Sequence, residues 1–261
     1  DKDGVVYVEP EYEKLHTRTM NDPLLDNQGH YDAINLKGAW DTTTGNPNVI
    51  VQVIDDGIDI SHSDLQKNIW KNPGEICGNG VDDDGNDLVD DCYGWNFADD
   101  NNKLVGNSIE DDSHGTHCAG TIAAVNNNQK GVCGVAGGDG SSNSGVKLMV
   151  GRMFGDKKIG GEAKALIYGA DHGARISSNS WGFTTPGVYE QSIHDAIDYF
   201  NSKGGIVVFA AGNNGNDEKK YPGYYEGSVA VAATYNDGEA TSFSNYGKWV
   251  DISAPGYRVY S

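Results

Sequence analysis

Three polar residues whose side chains suit proton transfer and anion stabilisation lie next to apolar segments. Asp55 follows the apolar run 49–54, and a carboxylate at the end of a buried strand suits the orientation of a histidine. His114 begins a glycine-punctuated segment, where an imidazole suits general-base catalysis. Asn213 follows the apolar run 205–211, and its amide suits hydrogen bonding to an oxyanion. Each residue alone also has an ordinary structural interpretation, so the chemistry depends on all three together.

The elements that must position these residues alternate between strand and helix. Apolar runs predict strands, and residues at helical spacing predict helices. The predicted strands are 49–54, 146–154, 176–180, 205–211, 228–234 and 249–254. The predicted helices are 114–125, 162–172 and 190–202. This alternation indicates an α/β fold with a mainly parallel central sheet and helices on both faces. Active sites of such sheets lie at the carboxyl ends of the strands.

Composition and charge narrow the class of partner. The chain has 261 residues and a formal net charge of −19, which excludes nucleic acid because phosphate binding requires a basic surface. No apolar stretch reaches the length of a membrane-spanning helix. The acidity has two interpretations, a solvated surface or oxygen ligands for a hard cation.

One segment concentrates the acidic residues. Within the long loop 71–113, residues 79–91 alternate Asp and Asn with Gly, which is typical of a loop that wraps calcium. The alternative is a solvated acidic loop, in which this many like charges would repel. We predict a calcium site with side-chain ligands Asp82, Asp84, Asn86 and Asp90.

The four cysteines form two local pairs by spacing. Cys77 with Cys92, and Cys118 with Cys133, would make two disulfides in an oxidising compartment. Free thiols are the alternative for both pairs. The disulfide interpretation predicts a protein that is secreted, periplasmic or at the cell surface.

Five short motifs together resemble the subtilisin family of serine proteases. They are Val-Ile-Asp-x-Gly-Ile-Asp-x-Ser-His at 53–62, His-Gly-Thr-His at 114–117, Ser-Trp-Gly at 180–182, Ala-Ala-Gly-Asn at 210–213 and Ala-Pro-Gly at 254–256. The order Asp, then His, is that of the family, and the resemblance covers roughly residues 21–261. It implies a serine endopeptidase that hydrolyses extended polypeptides.

The resemblance also implies roles for individual residues. Asp55 becomes the orienting acid, His114 the general base and Asn213 the oxyanion donor. The residues expected to flank the substrate as strand-like edges are Gly160, Gly161, Ser180, Trp181 and Gly182. A second calcium site is implied at Asp64 and the segment 125–132, with the choice between Asn127 and Asn128 left open.

The resemblance implies expectations for both ends of the chain. Residues 1–20 resemble the end of an inhibitory propeptide plus a linker, so the protein's own propeptide is an expected partner. Residues 21–261 are then a catalytic domain that stops before the family's Gly-Thr-Ser-Met-Ala motif. Ser261 has no Gly-Thr before it, so we do not expect it to be the nucleophile. The chain by itself is expected to be essentially inactive.

Two alternative functions follow from particular residues. Cys118, Cys133 and Asp55-Asp56-Gly57 also resemble the kexin/furin branch, which cleaves after basic residues, and Asp111 and Asp112 would suit an acidic cleft. The other alternative, of a different class, is a pseudoprotease or calcium-stabilised module that binds peptides without cutting them.

Overall fold

The computed structural model describes residues 19–106 and 113–261. The expected propeptide remnant, apart from its last two residues, and the pair Asp111 and Asp112 lie outside these described residues. The helices are a short 3-10 turn Leu25–Asn27, α1 His30–Ala33, α2 Leu36–Trp40, α3 Ser113–Ala123, α4 Glu162–Asp171 and α5 Gln191–Ser202. None of them has the length and apolar character needed to cross a lipid bilayer.

Seven parallel strands form the centre of the molecule. In chain order they are β1 Ile50–Asp55, β2 Gly94–Asn96, β3 Lys147–Arg152, β4 Ile176–Asn179, β5 Ile206–Ala210, β6 Ser228–Thr234 and β7 Ile252–Pro255. Their order across the sheet is β2-β3-β1-β4-β5-β6-β7, with every neighbouring pair parallel. This confirms the predicted α/β fold.

Alternation along β1 divides the core into two layers. Val51 and Val53 pack with α3 on one face of the sheet, whereas Ile54 packs with α4 and α5 on the other. Both faces are therefore covered by helices. As a result, β1 is buried at consecutive positions, and its last residue, Asp55, brings a carboxylate to the sheet edge.

The sequence prediction omitted β2. This strand has three residues within the acid-rich loop 71–113, and it extends the sheet by pairing with β3 at the edge. A run this short has too few residues to show a period. The pairing anchors the end of the acidic loop to the sheet.

The two predicted cysteine pairs have different outcomes. Cys77 and Cys92 form a disulfide, which confirms the first pair. The second pair was wrong, because Cys118 and Cys133 are both free thiols. Cys118 lies on α3 with its Sγ 3.6 Å from Ser180 Oγ, while Cys133 is buried beside Tyr31 and Trp40 and contacts Asp22. The two cysteines are close in sequence, but their side chains have different neighbours in the fold.

Candidate active site

Asp55 and His114 form a hydrogen-bonded pair at the carboxyl edge of the sheet. Asp55 ends β1, the third strand from one edge of the sheet, and its carboxylate is 4% exposed. The imidazole of His114 lies at the start of α3 and its Nδ1 is 2.7 Å from Asp55 Oδ1. A carboxylate can only accept, so Nδ1 carries the donated proton and Nε2 keeps its lone pair. This is the tautomer that a general base requires.

The neighbouring carboxylate holds the start of α3 in place. Asp56 Oδ1 accepts a hydrogen bond from Gly115 N at 2.6 Å, and Oδ2 accepts one from His114 N at 3.2 Å. These are N–H groups of the first helical turn, which have no partner within the helix. A side chain at residue 115 would collide with the Gly57 carbonyl, so glycine is required there. The Asp-Asp-Gly turn thus positions the helix as well as the histidine.

Electrostatics favour the charged form of the His114 ring. The hydrogen bond with Asp55 raises the pKa of His114, burial opposes this, and the charges of Asp55 and Asp56 add to the increase. Burial raises the pKa of Asp56 itself. The site therefore stabilises an imidazolium, the species that forms when a general base takes up a proton.

Cys118 lies one helical turn after His114, on the same side of α3. Its Sγ, a carboxylate oxygen of Asp55 and a ring nitrogen of His114 all lie within 4.8 Å of one another. Burial, and then the negative charge of Asp55, raise the pKa of this thiol to about 11. Cys118 is therefore a neutral packing group next to the His114 ring, because the thiolate is the reactive form of a cysteine.

A cavity of about 200 Å³ lies beside the ends of β4 and β5. Ser180, Trp181, Gly182 and Asn213 all line it, so the structure brings together the residues expected to bind substrate and oxyanion. Gly160 and Gly161 do not line it. They precede α4 on the other side of β1, where Gly161 has a φ of +87° and packs against Phe97. Their role in binding substrate stays a prediction.

The Subtilase family model matches residues 46–261. The chain belongs to the subtilase family. The matched region contains Asp55, His114 and Asn213, and the expectation drawn from the five motifs is confirmed at the level of the family.

Similar proteins include two curated relatives and one solved structure. Thermitase from Thermoactinomyces vulgaris is 34% identical over 248 residues, which cover 93% of this chain and 75% of thermitase. The thermophilic serine proteinase of Bacillus sp. strain AK1 is 33% identical over 98% of this chain, which spans 56% of that relative. A solved protease from Pseudoalteromonas arctica superposes with a TM-score of 0.69 at 33% identity, covering 92% of this chain and 73% of that one.

The acidic loop of this subtilase gathers three carboxylates, two of them predicted. Ligand oxygens of Glu75, Asp82 and Asp84 lie within 4.8 Å of one another. Glu75 is 6% exposed and its Oε2 is buried without a hydrogen-bond partner. A second group joins Asp84 to Asp91 and His172. Glu75 and Asp91 were missed, because Glu75 precedes the Asp-rich run and Asp91 ends it.

The other two predicted ligands of this loop lie outside the carboxylate group. Asp90 accepts hydrogen bonds from the backbone N–H groups of Gly78, Asn79 and Gly80. The Asn86 amide donates to Asp91 Oδ2 at 3.0 Å. Both side chains shape the loop around the carboxylates, and their role as ligands stays a prediction.

The second predicted cation site combines Asp64 with a residue that sequence reasoning missed. Asn128 Nδ2 donates to Asp64 Oδ1 at 2.6 Å, whereas the Asn127 amide donates to the Asp139 carbonyl. Of the two candidates, Asn128 is thus the one beside Asp64. The missed residue is Asp22, which accepts backbone hydrogen bonds from Asn127 and Asn128. Asp22 was missed because it is far from Asp64 and Asn128 in the sequence.

Ser261 lies beside α3. Its Oγ donates a hydrogen bond to the His117 carbonyl at 2.9 Å. That Ser261 is not the nucleophile stays a prediction.

Proposed function

We propose that the intact protein is a serine endopeptidase that hydrolyses extended polypeptides by a Ser-His-Asp mechanism. The observation that carries the proposal is the 2.7 Å contact between His114 Nδ1 and buried Asp55, at the sheet edge that also carries Asn213. The nucleophile is a serine outside these 261 residues. Family membership and the protease names of the relatives support the reaction class.

The three residues divide the work of acyl transfer. His114 Nε2 takes the proton of the attacking serine, and Asp55 stabilises the resulting imidazolium through Nδ1. The exposed Asn213 amide, which follows β5, donates to the oxyanion of the tetrahedral intermediate. His114 then returns its proton to the leaving amine. Ser180 and Gly182 offer backbone groups to an extended substrate.

Labelling with a fluorophosphonate probe tests this function. The full-length protein should form a covalent serine adduct and cleave a denatured protein substrate. The His114→Ala variant should form the adduct orders of magnitude more slowly, because the serine then lacks its base. A full-length, folded protein that binds peptides but forms no adduct would instead support the peptide-binding module.

We further propose that calcium stabilises this subtilase at two sites. The first uses Glu75, Asp82 and Asp84, where a buried carboxylate oxygen has no hydrogen-bond partner and hard oxygen donors converge. The second uses Asp64, Asn128 and Asp22, where two buried carboxylates repel each other. When bound, calcium would neutralise these charges and fix two loops.

We also propose a propeptide remnant at the start of the chain and a location outside the cytoplasm. Residues 1–20 comprise the C-terminal remnant of the protein's own inhibitory propeptide and a linker, and residues 21–261 belong to the catalytic domain. The protein acts outside the cytoplasm, which the Cys77–Cys92 disulfide and a relative named as an extracellular protease support.

A further inference from the structure

One cation lies in the wall of the cavity beside Asn213. Among the described residues that line this cavity, Lys220 is the one with a charged side chain. The rest of the lining is apolar or neutral, with Trp181, Gly182 and Tyr221 among it. Lys220 is 6% exposed, which is unusual for a lysine because a buried ammonium loses its hydration.

The ammonium group of Lys220 is only partly satisfied. Its Nζ donates to the Thr184 carbonyl at 2.8 Å and lies 3.4 Å from Glu218 Oε2. Three N–H donors are available, so one remains for a further acceptor. The Glu218 side chain is 41% exposed, so solvent screens its charge and it compensates the buried cation incompletely. An additional carboxylate would complete the site.

The backbone fixes the position of this lysine. The carbonyl of Lys220 accepts a hydrogen bond from Tyr224 N at 2.8 Å. Its side chain passes beside Gly212, where φ is +105° and an added Cβ would lie 3.5 Å from Lys220 Cγ. The next lysine differs: Lys219 is exposed, and its Nζ lies over the Tyr224 ring outside this cavity. The two neighbours form a natural pair for comparison.

We propose that Lys220 gives the protease a preference for a substrate residue with a carboxylate side chain immediately before the cleaved bond. This rests on the proposed function, since Asn213 must hold the oxyanion of that residue. The side chain next to the reacting carbonyl then enters the cavity that Asn213 and Lys220 share. A glutamate there pairs with the ammonium, whereas a basic side chain meets a like charge. Lys220 thus also argues against cleavage after basic residues.

Four matched peptides test the preference with the full-length protease. They differ only before the cleaved bond, where they carry Glu, Gln, Leu or Lys. We expect kcat/KM for the Glu peptide to exceed that for the isosteric Gln peptide about tenfold or more, because a hydrogen bond to a charged partner in a buried site is strong. Lys220→Met should reduce this ratio to about one, and Lys219→Met should leave it unchanged.

The outcomes separate this proposal from the proposed function. Equal rates for Glu and Gln peptides, or a Lys220→Met variant that keeps the Glu preference, would overturn the role of Lys220 and leave the protease assignment intact. No cleavage together with no fluorophosphonate adduct would overturn both. If Lys220→Met does not fold, Lys220→Arg should keep the preference and Lys220→Gln should lose it.

Discussion

At the scale of single residues, the site consists of one imidazole, His114, surrounded by two carboxylates and one neutral thiol. Asp55 is buried and bonded to His114, and Asp56 holds the helix that presents the ring. The neighbouring thiol of Cys118 stays neutral because burial raises its pKa to about 11. The Asp55 carboxylate is therefore the main influence on the protonation of His114, and the charge of Asp56 adds to it.

The Asp55→Asn substitution tests that control. Asparagine cannot stabilise the imidazolium, so we expect kcat to fall about 10⁴-fold. The hydrogen bond with Asp55 is the main cause of the raised pKa of His114, so this pKa should fall in the variant. Because neutral His114 is the active base, the acid limb of kcat/KM against pH should move to lower pH. Asp237→Asn, in an exposed turn, is the control and should leave the pH profile unchanged. An acid limb that does not move in Asp55→Asn would contradict the prediction.

The free thiols give a second prediction at this scale. Denatured protein without reductant should titrate two thiols per chain, from Cys118 and Cys133. In the folded protein at pH 8, alkylation of Cys118 should be about 100-fold slower than that of free cysteine, because little thiolate forms at a pKa of about 11. Mass spectrometry of alkylated peptides measures both. A chain without titratable thiols would instead indicate the Cys118–Cys133 disulfide.

At the scale of elements, one long loop segment contains the disulfide and the predicted metal ligands. Residues 71–106 contain the Cys77–Cys92 disulfide, the Glu75 carboxylate group and β2. The periodic strands and helices were predictable because apolar spacing reports burial locally. The acid-rich composition predicted calcium, but which oxygens converge depends on how the loop folds back. Glu75 and Asp84 are neighbours only in the folded loop.

Calcium removal is the prediction for this element. Chelation should lower the melting temperature by about 5–10 °C, the effect of losing a ligand present at about 100 times its Kd. Glu75→Gln should reduce the calcium-dependent shift, because it removes the negative charge of the buried carboxylate whose Oε2 has no hydrogen-bond partner. Asp87→Asn is the matched control, since Asp87 belongs to the same loop but not to the carboxylate group. Identical melting with calcium and with chelator would contradict both proposed sites.

At the scale of the whole molecule, one sheet supports both the core and the site. Residues of β1 pack into both core layers, and the same strand delivers Asp55 to the edge. The adjacent strand β4 and the next strand, β5, bring Ser180 and Asn213 to that edge. Packing errors in the central strand should therefore affect stability and catalysis together.

The Ile54→Ala substitution examines this coupling. Ile54 is fully buried next to Asp55, so its truncation should cost about 2–5 kcal/mol of unfolding free energy and lower activity. Urea denaturation and kcat/KM measure the two effects. Ile34→Ala, at an exposed position, should change the unfolding free energy by less than about 0.5 kcal/mol. A fully active Ile54→Ala enzyme would argue against the coupling.

The family and the parallel sheet could be predicted from the sequence, because short motifs and apolar periodicity are local properties of the chain. The same motifs predicted Asp55, His114 and Asn213 as site residues. Three facts became visible in the tertiary structure: Cys118 and Cys133 do not pair, Asn128 rather than Asn127 contacts Asp64, and Lys220 lines the cavity beside Asn213. The physical reason is the same in each case. These facts concern side-chain direction and contacts between distant segments, which depend on how the whole chain packs.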